Sequence, residues 1–180
     1  MISKQLYKEI QKKAAEKIRE AGIIITDEEA ESIEVADFGL NNVFEEGAQI
    51  LTLINTDRIA VKVIMLFPHQ TEPEHWHETV GDFAGKEESI RVASGKVYFY
   101  VPGEDTLKNA TIPKNKEQWY QSRHEIVMEP GNQITLVPGT KHWFQAGSEG
   151  AVLYSFSSSA KDELDKFTDP NIVRKTKIVE

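Results

Sequence analysis

The chain has no cysteine. Disulfides and thiolate-held metals are therefore excluded, and any bound metal must take nitrogen and oxygen ligands. It also lacks a long apolar run. The longest strand-like stretch is Val63-Ile64-Met65-Leu66-Phe67, against the ~20 residues of a spanning helix. The N-terminal MISKQLYKEIQKKAAEKIRE is charged throughout and carries no apolar signal segment. The expectation is a soluble cytoplasmic protein with no membrane partner. A basic field is missing too. Lys and Arg total 21 against 29 Asp and Glu, for a formal net charge of −8. Nucleic-acid binders cluster cations to neutralise phosphates, so no nucleic-acid partner is expected. Glycine (11) and proline (7) are sparse, which excludes fibrous and low-complexity classes. What remains is a globular composition, 39% hydrophobic and 28% charged over 180 residues, suited to one domain.

Two patterns divide the chain. Residues 3–21 read as an amphipathic helix with Ile2, Leu6, Ile10, Ala14, Ile18 and Ala21 on one face and Gly22 as its C-terminal cap. Thr26 and Glu29 form a capping-box pattern that starts a second short helix. From Ala48 onward, β-prone runs recur at 50–54, 59–67, 89–93, 96–101, 125–128, 134–137 and 151–156. Their punctuation includes Ser94-Gly95, Pro130-Gly131, Pro138-Gly139 and Gly147 to Gly150. No long helix separates them, so an antiparallel barrel or sandwich is expected rather than βαβ units. The organisation read from this is a helical extension at 1–35, a β-barrel with the site at 36–160, and a polar C-terminal segment at 161–180 packing on the barrel.

The chemistry concentrates on a few residues. His75-Trp76-His77 places two imidazoles on one face of an extended strand, within reach of one metal. Glu88 follows and opens a strand, and Gly95 sits at an expected hairpin turn. Pro138-Gly139-Thr140-Lys141-His142 places a third histidine just after a turn. This order, H-x-H, Glu, six residues, Gly, then Gly and Pro-x-x-x-His, resembles the two cupin motifs. The resemblance implies an all-β cupin barrel (a double-stranded β-helix, jelly-roll-like) with an N-terminal helical extension. It implies that His75, His77, Glu88 and His142 hold a divalent metal at the barrel mouth. Such nitrogen and oxygen ligands suit Mn²⁺, Co²⁺, Zn²⁺, Fe²⁺ or Ni²⁺. Two open cis positions on the ion would chelate vicinal oxygens of an open-chain sugar, as an aldose–ketose isomerase requires. The same positions would serve a dioxygenase, and a non-catalytic metal-dependent sugar-binding protein is a third reading.

A narrower resemblance rests on Phe67-Pro68-His69-Gln70-Thr71-Glu72-Pro73-Glu74-His75-Trp76-His77, Gly85-Lys86-Glu87-Glu88, Gly95-Lys96-Val97-Tyr98, Lys141-His142-Trp143-Phe144-Gln145-Ala146-Gly147 and Phe167-Thr168-Asp169-Pro170. Over about Thr26 to Ile172 the chain is similar to the small bacterial D-lyxose isomerase family of cupins, including its ten residues between H-x-H and Glu. The resemblance implies interconversion of D-lyxose with D-xylulose and D-mannose with D-fructose, a preference for Mn²⁺, a monosaccharide as partner, and a homodimer.

Lys62 interrupts the apolar strand 59–67. It reads either as a substrate-oxygen donor or proton shuttle inside the barrel, or as an exterior lysine. Glu74 is a candidate base, but in a regular strand it points away from His75 and His77, so that role requires a bulge. Of Trp143 and Phe144, one is expected to wall the sugar pocket and the other to be core. Lys141 is a polar candidate for substrate binding. Asp169 would touch substrate if the tail folds over the mouth, and otherwise stops a helix before Pro170. Loop 102–124, with Trp119-Tyr120, is a candidate lid.

Overall fold

In the computed structural model, which describes Met1–Glu180, the chain opens with a two-residue strand β1 (Ile2–Ser3) and helix α1 (Lys4–Glu20). The Ser3 hydroxyl accepts the Leu6 amide and caps that helix. Helix α2 (Asp27–Ser32) starts with the expected capping box, Thr26 and Glu29 each bonding the other's backbone amide. The β-rich part then runs through β2 (Glu34–Ala36), β3 (Ala48–Asn55), β4 (Ile59–Leu66), β5 (Thr71–Trp76), β6 (Glu88–Val101), β7 (His124–Met128), β8 (Gln133–Leu136) and β9 (His142–Ser158). A 3₁₀ turn (Asp162–Leu164) leads to β10 (Lys166–Phe167) and β11 (Ile178–Val179). No helix is long and apolar enough to cross a membrane.

Nine strands form one curled antiparallel sheet in the order β10-β5-β9-β4-β3-β2, with β6 pairing β9 along its length and β7 and β8 on its far edge. The first part of β9 lies between β5 and β6, and its second part between β4 and β6. This long strand thus closes the curl into the expected cupin barrel. Side-chain alternation separates two cores. Ile64, Leu66, Ile90, Val92, Phe99, Phe144 and Leu153 fill the inside. Leu51, Val63, Met65 and Val152 face outward and are covered by Ala14, Ala15 and Ile18 of α1. The N-terminal helices therefore cap one outer face of the sheet. The chain ends meet in a parallel pair, β1 with β11.

The expected hairpin turn at Ser94-Gly95 is not a turn. β6 runs straight through it, with register shifts at Val92/Ser94 and Gly95/Val97. Gly95 has φ +77°, and a Cβ there would collide with the Gly150 carbonyl oxygen. The glycine bends one strand across another instead of reversing it. The same holds at Gly147 to Gly150. Between the pairs Val97–Ala146 and Gly95–Ala151, four residues of β9 face one of β6, and the strand continues beyond them.

Gly95→Ala is expected to destabilise the fold by about 1–3 kcal/mol, read as a fall in the urea midpoint. A midpoint equal to that of the parent chain would show that the crossing tolerates a side chain.

Candidate metal centre

Strand β5 carries a built-in irregularity. Glu72 pairs with Phe144, yet His75 pairs with His142, so three steps on β5 span two on β9. Pro73, which has no amide to give the ladder, sits at this bulge. The extra residue resets the alternation. Glu72 and His75 both point into the barrel, although an odd spacing would put them on opposite faces. Glu74 turns the other way.

Three imidazoles meet inside, those of His75, His77 and His142, with one ring nitrogen each lying within 4.8 Å of the others. Their tautomers follow from what they touch. His75 Nδ1 lies 2.8 Å from the Pro73 carbonyl oxygen and His142 Nδ1 lies 2.9 Å from that of Thr140. A carbonyl only accepts, so both Nδ1 atoms donate and both Nε2 atoms present lone pairs. His77 Nδ1 stands 2.5 Å from Asp165 Oδ1. The Nε2 of His142 is buried with no partner. Glu88 brings Oε2 to 3.2 Å from His77 Nε2 and 3.9 Å from His142 Nε2. Its other oxygen is held by Lys86 Nζ at 3.0 Å and Ser155 Oγ at 2.5 Å.

The electrostatics fit a cation. Burial, with His142 and His77 close by, holds the His75 pKa well below the usual imidazole range, and burial and His77 push His142 down to about 4. Both stay neutral, as ligands must. Burial and Lys86 oppose charge on His77, but its hydrogen bonds to Asp165 and Glu88 raise its pKa. A proton is held where a lone pair and a carboxylate would otherwise face each other. Burial alone would raise Glu88, yet Lys86 and the His77 hydrogen bond keep it well below the carboxylate range. Unpaired Nε2 atoms converging beside a charged carboxylate suit a divalent ion; the buried three-histidine group can hold one.

The cavity beside these groups is lined by Lys62, Glu72, Lys86, Asp162, Asp165 and Arg174, with Phe38, Ile64, Phe144 and Phe167 as apolar walls. Lys62 lies inside the barrel, 5% exposed, with Nζ 2.5 Å from Asp162 Oδ2. Arg174 binds Glu34 through two nitrogens and reaches Asp162 at 3.2 Å. Glu72 differs from the other carboxylates. Its Oε2 is buried without a partner, its Oε1 lies 3.9 Å from His75 Nε2, and burial, with Glu88 nearby, raises its pKa to about 7.

Of the residues singled out by sequence, His75, His77, Glu88, His142, Lys62 and Phe144 come together at this cavity. Four do not. Glu74 is tied to the Ser122 amide and the Thr168 hydroxyl, both at 2.5 Å, because the bulge turned Glu72 inward in its stead. Trp143 faces outward, stacked on Tyr100 at 4.0 Å and covered by Tyr120. Loop 102–123 thus covers the barrel's outer face, not its mouth. Lys141 bonds Gln121 and lies over the Trp76 ring at 4.8 Å. Asp169 pairs with Lys116 at 3.2 Å and accepts from the Asn171 amide. Sequence reading missed Glu72, Lys86, Asp162, Asp165 and Arg174. Only Lys86 left a signal, since its spacing of two from Glu88 repeats that of the histidines.

The family model for D-lyxose isomerase matches residues 7–180. It includes most of α1, which the sequence resemblance had left outside. A D-lyxose ketol-isomerase of Cohnella laeviribosi is 50% identical over 169 residues, 93% of each chain. A D-lyxose/D-mannose isomerase of Thermosediminibacter oceani is 51% identical over 175 residues, 97% of each. Among solved structures, an L-ribose isomerase of Cellulomonas parahominis superposes with a TM-score of 0.79 at 16% identity, over 99% of this chain and 98% of that one. That likeness is one of fold.

Two outcomes are expected. Glu72 holds its proton more tightly folded than unfolded, its pKa rising from 4.5 to about 7. Its contribution to stability is therefore full below pH 4.5 and lost as pH climbs to 7. Metal-free Glu72→Gln should gain on the parent chain across that window, by on the order of 3 kcal/mol; denaturant midpoints with a flat difference would show an unshifted carboxyl. Second, Mn²⁺ at a hundred times its Kd should stabilise the parent chain by about 2.7 kcal/mol. In His142→Ala that gain should shrink sharply, as read by thermal unfolding.

Proposed function

The chain belongs to the D-lyxose isomerase family, and from that premise we propose that it is a metal-dependent aldose–ketose isomerase. Its substrate pair is D-lyxose and D-xylulose, with D-mannose and D-fructose as a second pair. The observation that carries this is the convergence of three histidine ring nitrogens and a charged carboxylate beside an unpartnered, proton-holding Glu72 in one cavity.

His75, His77 and His142 would hold the ion through Nε2, and Glu88 through Oε2. The family resemblance favours Mn²⁺. When bound, the ion supplies Lewis-acid polarisation of the sugar's O1 and O2.

The rest belongs to the protein. Isomerisation moves one hydrogen from C2 to C1 and another from O2 to O1. Glu72 is the group for the first. Its pKa of about 7 lets it take a proton and give it back near neutral pH. Glu88 is too acidic for that work and suits the ion. The base role that sequence reading gave to Glu74 thus passes to Glu72. Lys62 bonds both oxygens of Asp162, and the pair would donate to a sugar oxygen and relay the hydroxyl proton. Phe144 and Phe167 keep water from the transfer. We further infer a cytoplasmic homodimer. The cysteine-free chain and the exposed Leu53, Ile59 and Phe156 on adjacent strands support it.

With Mn²⁺, the protein should form ketose from D-lyxose, and chelation should abolish it. Glu72→Gln should lower kcat by about 10²–10⁴-fold with little change in KM. D-Xylulose turned over in heavy water should yield aldose carrying deuterium at C2. Normal kcat in Glu72→Gln would return the base role to another group, and no deuterium would point to a hydride shift.

A further inference from the structure

We propose that Asp165 is a positioning residue of the metal centre, and that the C-terminal strap 161–174 opens to admit the sugar and, on closing, sets the orientation of His77. This rests on His77 being a metal ligand, as argued above.

The geometry begins with register. β10 pairs antiparallel with β5, Lys166 opposite Trp76 and Phe167 opposite His75. One step back along that register, Asp165 stands opposite His77. The D-x-F of the strap therefore meets the H-x-H of β5 residue for residue, with both inward positions matched. The Asp165 carboxylate reaches His77 Nδ1 at 2.5 Å, and the Phe167 ring lies 5.8 Å from that of His75. His75 and His142 have their Nδ1 atoms fixed by carbonyls two residues back in their own strands. His77 alone depends on a group brought from the end of the chain.

The strap is also the wall that can move. As folded, the cavity is about 20 Å³, room for about one water and far too little for a pentose. Most of its other lining stands on β3, β4, β5, β6 and β9 of the large sheet, with Phe38, His77 and Lys86 added from outside the strands. The strap pairs through two residues, adds backbone bonds from Thr168 to Glu74 and from Val173 to Phe38, and is otherwise held by side chains: Asp162 to Lys62, Thr168 to Glu74, and Arg174 to Glu34. Opening of the strap would break these pairs, and with them the His77–Asp165 bond.

The test uses the full chain and Mn²⁺ as the probe. Affinity is measured by competition with a chelating dye for the parent, Asp165→Ala and Asp165→Asn, with amide hydrogen exchange of 161–168 followed with and without Mn²⁺. Asp165→Ala should bind Mn²⁺ about 10–100-fold more weakly. Asp165→Asn, whose amide oxygen still accepts from Nδ1, should recover most of that loss. Mn²⁺ should slow exchange in the strap of the parent, and no longer in Asp165→Ala. The proposal is overturned if Asp165→Ala binds as the parent does, if Asn falls as far as Ala, or if Mn²⁺ leaves strap exchange unchanged in a parent that binds it. A parent that binds no Mn²⁺ would remove the metal reading itself.

Discussion

Everything at this site depends on where three imidazole protons are parked. Each Nδ1 of His75, His77 and His142 faces an oxygen that can only accept: a carbonyl, a carboxylate and a carbonyl. The Nδ1 protons are pinned on the outer nitrogens, and the lone pairs of His75 and His142 are turned inward beside the His77 Nε2 that bonds Glu88. A buried lone pair without a donor is costly. Two such lone pairs, together with the proton that His77 holds against the charged Glu88, form an environment that a cation relieves.

Around this constraint the barrel separates its carboxylates by what each one touches. Glu88 is flanked by Lys86 and Ser155 and stays ionised. Asp162 has Lys62 and Arg174. Glu72 has no cationic hydrogen-bond partner and keeps its proton near neutrality. Two glutamates facing one cavity are thus driven apart in acidity by environment alone, the usual way in which one site obtains both a charge and a proton carrier.

Glu74 shows how a site-like residue can be structural. Its two oxygens bind the Ser122 amide of the long loop and the Thr168 hydroxyl of the strap. It staples two chain segments on the outside of the strand whose inner face holds the histidines. Trp143 and Phe144 make the same point as neighbours. Strict alternation sends Phe144 to the cavity wall and Trp143 under Tyr120, outside.

Local sequence determined much of this protein. The amphipathic α1, the Thr26–Glu29 box, most strand positions and the H-x-H geometry follow from periodicity and capping, which act within a few residues. Charge balance and the missing cysteines restricted the ligands to nitrogen and oxygen. The tertiary structure decided the rest, because the deciding contacts are remote along the chain. The bulge at Pro73 exchanged Glu72 for Glu74, and it is visible only in the pairing with β9. Gly95 reads locally as a turn; only the crossing of Gly150 makes it a bend. Asp162, Asp165 and Arg174 lie in a polar tail without a motif, and only the return of that tail along β5 brings them to the histidines. Alternation tells which side chains share a face; which partner waits on that face is a property of the closed barrel.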